Sequence, residues 1–390
     1  MAKKLSKKTS FTRGVVCRLY PNKEAEEKLW QITGCCRWVW NKLLARRIKR
    51  YKKGKINSYS EDSKFLTKIK NKVKYSWLNN VSSISLQQTL RDLNTAYSNF
   101  FRRVKKGETP GFPKFKKKFL TRNSFRIVNQ KDIRLNFSIL NIPKIGEVKL
   151  KRSRKFNINN VYSYTMFEKC GKWFVSFTEY FKPKKFKKTG SKIGLDLGVK
   201  RLATTSNKKY KKPFKAESLE RKIKTKQREL SRKKLRSKRW EKCKHELKKL
   251  HLKLKNKRRD YLHKYTTYLV KNHDFIAVED LKIKNMTKSS KETLFEPGKN
   301  VKQKSGLNRS ILGQGWFILL NMLDYKCKWY GKKLVKVDPK YTSQTCSVCG
   351  YKSRDNRKSQ SCFKCCSCGF KINADQNASR NILARGLALN

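Results

Sequence analysis

KIGLDLGVKRLATTS, residues 192–206, places one aspartate, Asp196, between Leu195 and Leu197 and flanks it with Gly194 and Gly198. The pattern reads as a strand, a tight turn at Gly198 and a returning strand, with Asp196 mid-strand. A carboxylate in so apolar a setting costs free energy unless a cation or a donor satisfies it. A second apolar run, FIAV at 275–278, reads as a buried strand ending at Glu279. The carboxyl ends of strands are where sites of α/β sheets assemble. Asp375 lies in INADQNASRNILA (372–384), a helix capped by Asn373, which puts its carboxylate in the first turn. Two strands and a helix N-terminus can converge three carboxylates on one point.

Taken singly, each acid has an ordinary role: Asp196 in a turn, Glu279 at a sheet edge, Asp375 at the positive end of a helix. Together they repel, and the arrangement needs cations. Two Mg²⁺ or Mn²⁺ ions roughly 3.5–4 Å apart can activate a water and stabilise the leaving oxygen of a phosphodiester. The surrounding charge favours that chemistry, because 100 Lys and Arg stand against 27 Asp and Glu, a formal net of +73. Such self-repulsion opposes compaction unless a polyanion offsets it, and nucleic acid is the common one. Charge alone leaves a ribosomal or packaging role open; the three acids point to a metal-dependent nuclease.

Six cysteines cluster between Cys346 and Cys368. Cys346 and Cys349, then Cys365 and Cys368, form the C-x2-C pairs of a four-thiolate zinc ribbon. Cys362 and Cys365 are also spaced C-x2-C, so a second register exists. Glycine follows Cys349 and Cys368 directly, as Gly350 and Gly369, and allows the knuckle turn; Phe363 supplies an apolar residue beneath the site. Four thiolates leave zinc no open position, so the metal here is structural. Cys17, Cys35, Cys36, Cys170, Cys243 and Cys327 are scattered and read as reduced core residues of a cytoplasmic, nucleoid-associated protein. No apolar run approaches the ~20 residues of a membrane span.

Upstream, KEAEEKLWQITGCCRWVWNKLLARRIKRYKK (23–53) reads as a helix with acids first and bases last. A second helix runs through SSISLQQTLRDLNTAYSNFFRRVKKG (82–107), where Leu86, Leu90, Leu93, Tyr97, Phe100 and Val104 line one packing face. Next, Phe112, Phe115 and Phe119 interleave with Lys114, Lys116, Lys117 and Lys118, rings to stack on bases beside cations for phosphates. A solvated basic loop would look the same. From Ile127 to Phe181 the chain reads as β-rich, a small barrel, with a hairpin turning at Cys170-Gly171. Residues 216–272 form a charged helical hairpin with a break near Ser237, and 286–310 a mobile polar loop. WFILLNMLDYKCKWYGKKLVKVDP (316–339) reads as helix, stop at Gly331, and strand.

GLDLGVKRLATTS, FIAVEDLKIKNM, YTSQTCSVCG and CSCGFKINADQNASRNI resemble, in order and spacing, the blocks of the TnpB family. The likeness runs over essentially the whole chain and is strongest from Lys192 onward. TnpB proteins are transposon-encoded RNA-guided DNA endonucleases similar to compact type V CRISPR effectors. The resemblance implies an α/β multidomain fold: a wedge β-barrel domain (1–20 and 110–187) holding a helical recognition domain (21–109). An RNase H-like, RuvC-type nuclease domain (188–342 and 371–390) would hold the zinc ribbon (343–370). Asp196, Glu279 and Asp375 would be the catalytic triad, with Mg²⁺ or Mn²⁺ as cofactor and Zn²⁺ in the ribbon. The implied partners are a guide RNA from the transposon end and double-stranded target DNA cut beside a short motif. Two relatives of this reading are a compact type V CRISPR effector and a guided DNA-binding regulator without cleavage. Retention of all three acids counts against the regulator. A transposase with its own strand-transfer chemistry lacks support, because no tyrosine beside a histidine pair is present.

Overall fold

The computed structural model describes residues 10–55, 57–118, 120–128, 134–136, 138–291, 298–359 and 361–389. The chain divides into two compact units, Met1–Lys182 and Pro183–Asn390.

The first unit opens with β1 (Phe11–Tyr20), α1 (Lys23–Tyr51), α2 (Tyr59–Lys70), a 3-10 segment (Val73–Asn80) and α3 (Ser83–Lys105). It then continues through β2 (Ser124–Ile127), β3 (Arg134–Asn136), β4 (Ile139–Ile142), β5 (Gly146–Lys151), β6 (Val161–Glu168) and β7 (Trp173–Phe181). Asn22 caps α1 by accepting from the Ala25 N–H, and Glu24 and Glu26 sit in its first turn. Between α1 and α3, α2 is opened by a capping box of Ser58 and Glu61.

All seven strands pair antiparallel in the order β2-β6-β7-β1-β5-β4-β3. The expected small barrel is a half-barrel, with β2 and β3 unpaired at its edges among the described residues. One apolar core runs from the sheet (Leu19, Ile127, Tyr164, Phe177) into α1 and α3 (Leu29, Leu43, Leu86, Leu90), so helices cover the face that closure would have covered. The hairpin turn is the expected one: Cys170 (φ 54°) and Gly171 (φ 72°) both adopt the left-handed region that a two-residue hairpin requires. On α3, Leu86, Leu90 and Leu93 are buried, whereas the stripe reaches solvent at Val104.

The second unit contains β8 (Lys192–Asp196), β9 (Ala203–Thr205), β10 (Tyr210–Lys211), α4 (Glu217–Ser231), α5 (Lys238–Asn272) and β11 (Phe275–Glu279). After these come α6 (Ile283–Met286), α7 (Val301–Gln314), α8 (Trp316–Tyr330), β12 (Lys333–Val337), β13 (Cys362–Lys364), β14 (Lys371–Asn373) and α9 (Ala374–Ala388). The helical hairpin is α4 and α5, with Ser237 capping the latter. Part of the stretch expected to be a polar loop is the helix α7; residues 292–297 of it lie outside the described residues.

A five-stranded sheet runs β10-β9-β8-β11-β12. Its β8, β11 and β12 are parallel, and β9 and β10 turn back antiparallel. Ile193, Leu195, Ile276 and Val278 face α5 and α8, while Phe275, Ala277 and Val337 face Ile382 of α9. Two glycines let α9 lie close on that second face. A Cβ on Gly194 would overlap the Ser379 carbonyl oxygen and stand 2.8 Å from the Leu383 nitrogen, and one on Gly386 would be 2.6 Å from the Ala277 Cβ. Five of the six scattered cysteines are buried, and Cys170 is half-buried.

Candidate metal centres

Asp196 was expected mid-strand; it is the last residue of β8, as Glu279 is of β11. The parallel register pairs Leu195 with Val278, so the two acids occupy the next rung at the carboxyl end of adjacent strands. Strand alternation points both to the face of Gly194 and Ala277, where α9 packs. There α9 begins, with Asn373 accepting the Asp375 N–H at 3.1 Å. The third carboxylate thus enters from a helix start above the sheet edge.

Burial, then the charges of Glu279 and Asp375, push the Asp196 carboxyl up to about 7, opposed by the Arg357 cation. Burial also raises Glu279, against the Thr342 hydroxyl, which donates to its Oε1 at 2.6 Å, and the Arg385 charge. Repelling, desolvated, hard oxygen donors are a set that a divalent cation relieves.

The segment entering the ribbon grips α9. Buried Asn377 donates to the Thr345 carbonyl (2.7 Å) and accepts from the Ser347 N–H (3.0 Å). Asn381 donates to the carbonyls of Thr342 (2.8 Å) and Thr345 (2.7 Å). Thr342 therefore touches Glu279 with its hydroxyl and the helix of Asp375 with its carbonyl.

Among the described residues, the tight cluster of metal-ligand atoms is Cys346, Cys349, Cys365 and Cys368, whose sulfurs all lie within 4.8 Å of one another. Cys346 and Cys368 stand 3.8 Å apart, and Cys349 and Cys365 3.5 Å. A tetrahedron with Zn–S bonds of ~2.3 Å has edges of about 3.8 Å, so the donors fit zinc. Gly350 (φ 76°) and Gly369 (φ 71°) take the left-handed turn after each knuckle, and Phe363 is fully buried beside Cys346 and Cys365. Cys362 and Cys366 are exposed and outside the cluster. Fully buried Asn356 links the knuckles, donating to the carbonyls of Gln344 and Tyr351 and accepting from the Cys366 N–H. Its neighbour is Arg357, the cation that acts on Asp196.

In the first unit, Phe112 (45% exposed) packs edge-on against Tyr97 and Phe100 at 5.7 and 5.3 Å. Phe115, Lys114, Lys117 and Lys118 are exposed. Lys116 is engaged within the protein, its ammonium 3.9 Å from the Trp40 ring centre and its backbone held on both sides by Asn41. Phe119 lies outside the described residues.

Residue patterns did not single out Thr342, Arg357 or Gly386. Asn377 and Asn381 carried a signal, two asparagines four apart on one helix face.

Known proteins resemble this chain in sequence and fold. Residues 176–290 match the OrfB/IS605 family model described as "Probable transposase", and 316–382 match the "Cas12f1-like, TNB domain". Residues 11–55 match a model described as a helix-turn-helix domain, although here they form β1 followed by α1. An Escherichia coli K12 protein named "Putative RNA-guided DNA endonuclease InsQ" is 40% identical over 375 residues, 95% of this chain and 92% of that protein. A CRISPR-associated endodeoxyribonuclease Cas12f1 from Sulfoacidibacillus thermotolerans is 48% identical over 71 residues, 18% of this chain and 17% of that one. Among solved structures, the Cas12f1–sgRNA–target DNA complex superposes with a TM-score of 0.54 at 14% identity, covering 96% of this chain and 98% of that one. The fold is therefore a Cas12f-like mixed α/β fold with a zinc-binding cysteine cluster. The chain belongs to the TnpB (OrfB/IS605) family.

Proposed function

We propose that this protein is a transposon-associated RNA-guided DNA endonuclease that cleaves double-stranded DNA beside a short motif. The observation that carries the reading is the placement of three acids at one sheet edge, where the charges of Glu279 and Asp375 act on buried Asp196, in a chain of net charge +73. In this reading 188–342 with 371–390 is a RuvC-like, RNase H-type nuclease domain, and 343–370 is the ribbon. The half-barrel serves as a wedge domain (1–20 and 110–187), and the helices of 21–109 serve in recognition. The guide RNA, the target DNA and a cytoplasmic, nucleoid-bound location follow from the same reading. The exposed basic segment with Phe112, Lys114, Phe115, Lys117 and Lys118 offers rings and cations to nucleic acid.

Asp196, Glu279 and Asp375 would hold Mg²⁺ or Mn²⁺, which supplies Lewis-acid activation and charge neutralisation for phosphodiester hydrolysis. The chain's own residues set up that site. Thr342 orients Glu279, Asn377 and Asn381 fix the helix of Asp375, and Arg357 brings a cation toward the scissile region. The E. coli relative, alike over 95% of this chain, supports the transposon-associated reading over a CRISPR effector, since the Cas12f1 sequence match spans only 18% of it.

The test is plasmid cleavage by the protein with its copurified RNA. Mg²⁺ or Mn²⁺ should support cutting, and Ca²⁺, larger and looser in geometry, should support target binding alone. Guided binding without cleavage in any of these metals would favour a regulator.

A further inference from the structure

We infer that Cys366 makes the ribbon an oxidation site: a peroxide joins it to the zinc ligand Cys368 as a disulfide, and the metal is lost. Four of the cysteines between Cys346 and Cys368 close on one point, and Cys362 and Cys366 take no part in that cluster. Both are exposed, as are the ligands Cys349 and Cys368, whereas Cys346 and Cys365 are buried. Two of the zinc sulfurs are therefore open to a small oxidant from solvent. In a reducing compartment, an exposed free thiol near an exposed thiolate is the arrangement of a redox sensor rather than of a permanent bridge.

The two knuckles differ at one position. Cys346-Ser347-Val348-Cys349-Gly350 and Cys365-Cys366-Ser367-Cys368-Gly369 share their spacing. In each, the N–H after the first cysteine donates to an asparagine Oδ1: Ser347 to Asn377 at 3.0 Å and Cys366 to Asn356 at 2.8 Å. Equivalent backbone positions thus carry a serine with a buried Oγ in one knuckle and an exposed thiol in the other. Cys349 has no spare sulfur in its knuckle, whereas Cys368 has one just across Ser367. Residues so close in a turn stand within the ~4.4–6.8 Å between Cα atoms that a disulfide spans. Cys362 is held elsewhere, in β13 opposite Asn373.

With a peroxide as oxidant the step balances. The Cys368 thiolate attacks a peroxide oxygen, the O–O bond breaks, and the sulfur becomes a sulfenic acid as hydroxide leaves. The Cys366 thiol then attacks that sulfur, the S–S bond forms, and the sulfenic oxygen departs as water with the Cys366 proton. Two electrons pass from the sulfurs to the peroxide. A disulfide sulfur is no longer an anionic ligand, so three thiolates remain where tetrahedral zinc needs four. The path to the acids is short. The Cys365 N–H donates to the Phe370 carbonyl at 2.9 Å, β14 follows at Lys371, and its last residue, Asn373, caps the helix of Asp375. Opening the second knuckle therefore loosens the start of α9.

The inference rests on the nuclease reading only for its effect on cutting, and the sulfur chemistry is read without it. The full chain carrying its copurified RNA is treated with hydrogen peroxide, a chromogenic chelator follows zinc release, and tryptic peptides are mapped by mass spectrometry. The peptide from Cys365 to Lys371 should lose two hydrogens and keep Cys365 as its one alkylatable thiol. The parent should release its zinc, then regain both zinc and cleavage after dithiothreitol and added Zn²⁺. Cys362→Ser should behave as the parent does. Cys366→Ser has no thiol to trap the sulfenic acid, which goes on to sulfinic acid, so it should regain less than about a tenth of its zinc. Zinc held through the peroxide treatment, a bridge between Cys362 and Cys366, or recovery of Cys366→Ser equal to the parent's overturns the inference. Reversible zinc loss through this bridge, in a protein that cuts no plasmid in Mg²⁺, overturns the nuclease reading and leaves the oxidation site standing.

Discussion

The four sulfurs of the ribbon come from two knuckles within residues 346–368 and stand at zinc-binding distances, Cys349 and Cys365 at 3.5 Å and Cys346 and Cys368 at 3.8 Å. The three carboxylates come from Asp196, Glu279 and Asp375, on two strands and a helix, and burial together with the charges of the other two raises the proton affinity of Asp196. One centre is local and at ease; the other is distant in sequence and strained. A thiolate site that closes on itself holds structure, whereas repelling carboxylates kept near one another need a reason beyond stability. The two are joined by α9, which starts just after β14 and is clasped by the chain entering the ribbon.

The strongest way to break this contrast is to remove a sulfur. Cys365→Ser or Cys368→Ser should lose the zinc outright, loosen the start of α9, and abolish plasmid cleavage with every acid in place. Cys362→Ser and Cys366→Ser should keep one zinc per chain by elemental analysis, along with full cleavage. A reversed pattern would move the ligand register to Cys362.

Packing beneath the acids comes next in size. Gly194→Ala puts a methyl into the backbone of α9, an overlap with no flexible side chain to absorb it. Displacing Asp375 by even ~1 Å should cut the cleavage rate about 100-fold, while zinc content stays at one. Retained activity would mean that the close approach of helix and sheet does not set the site.

What could be read in residue patterns follows the same division. Cys346, Cys349, Cys365 and Cys368 were legible because chain spacing itself encodes a knuckle, and Gly350 and Gly369 marked its turns. FIAV and the helix cap at Asn373 were legible for the same local reason. Gly194 could be seen only as a flank of Asp196, since its role depends on Ser379, far along the chain. Thr342 and Arg357 carry no pattern at all; their meaning comes from tertiary contact with Glu279 and Asp196. The small barrel was legible only as strand content, which is local; that it stops at a half-barrel depends on the helices packed on its face.

Smaller effects sharpen the acid side of the contrast. Thr342→Val removes the hydroxyl that orients Glu279 and should raise the Mg²⁺ concentration for half-maximal cleavage ~10-fold, as loss of an outer-shell partner does. Zinc should be unaffected. A smaller shift still is expected in stability. The Asp196 carboxyl, at about 7 in the fold against an ordinary 3.8, holds its proton more tightly folded than unfolded. Stability should therefore fall as pH rises from about 4 to 7, with the full cost present above 7. In Mg²⁺-free buffer Asp196→Asn should raise the Tm by ~3–6 °C at pH 7.5, and the gain should disappear near pH 4. No gain at pH 7.5 would show that the edge is not strained.

Loss of one acid should separate cutting from binding. Asp196→Ala, Glu279→Ala and Asp375→Ala should each be loaded with RNA and compared with the parent for cleavage of target plasmid in Mg²⁺ and for RNA-dependent target binding. The prediction is that all three lose cleavage below detection and keep binding, because the metal-holding charge and the guide pairing are separate. Robust cutting by any one variant, with Asp375→Ala the most telling because its carboxylate arrives through the ribbon, would remove that acid from the site and contradict the account.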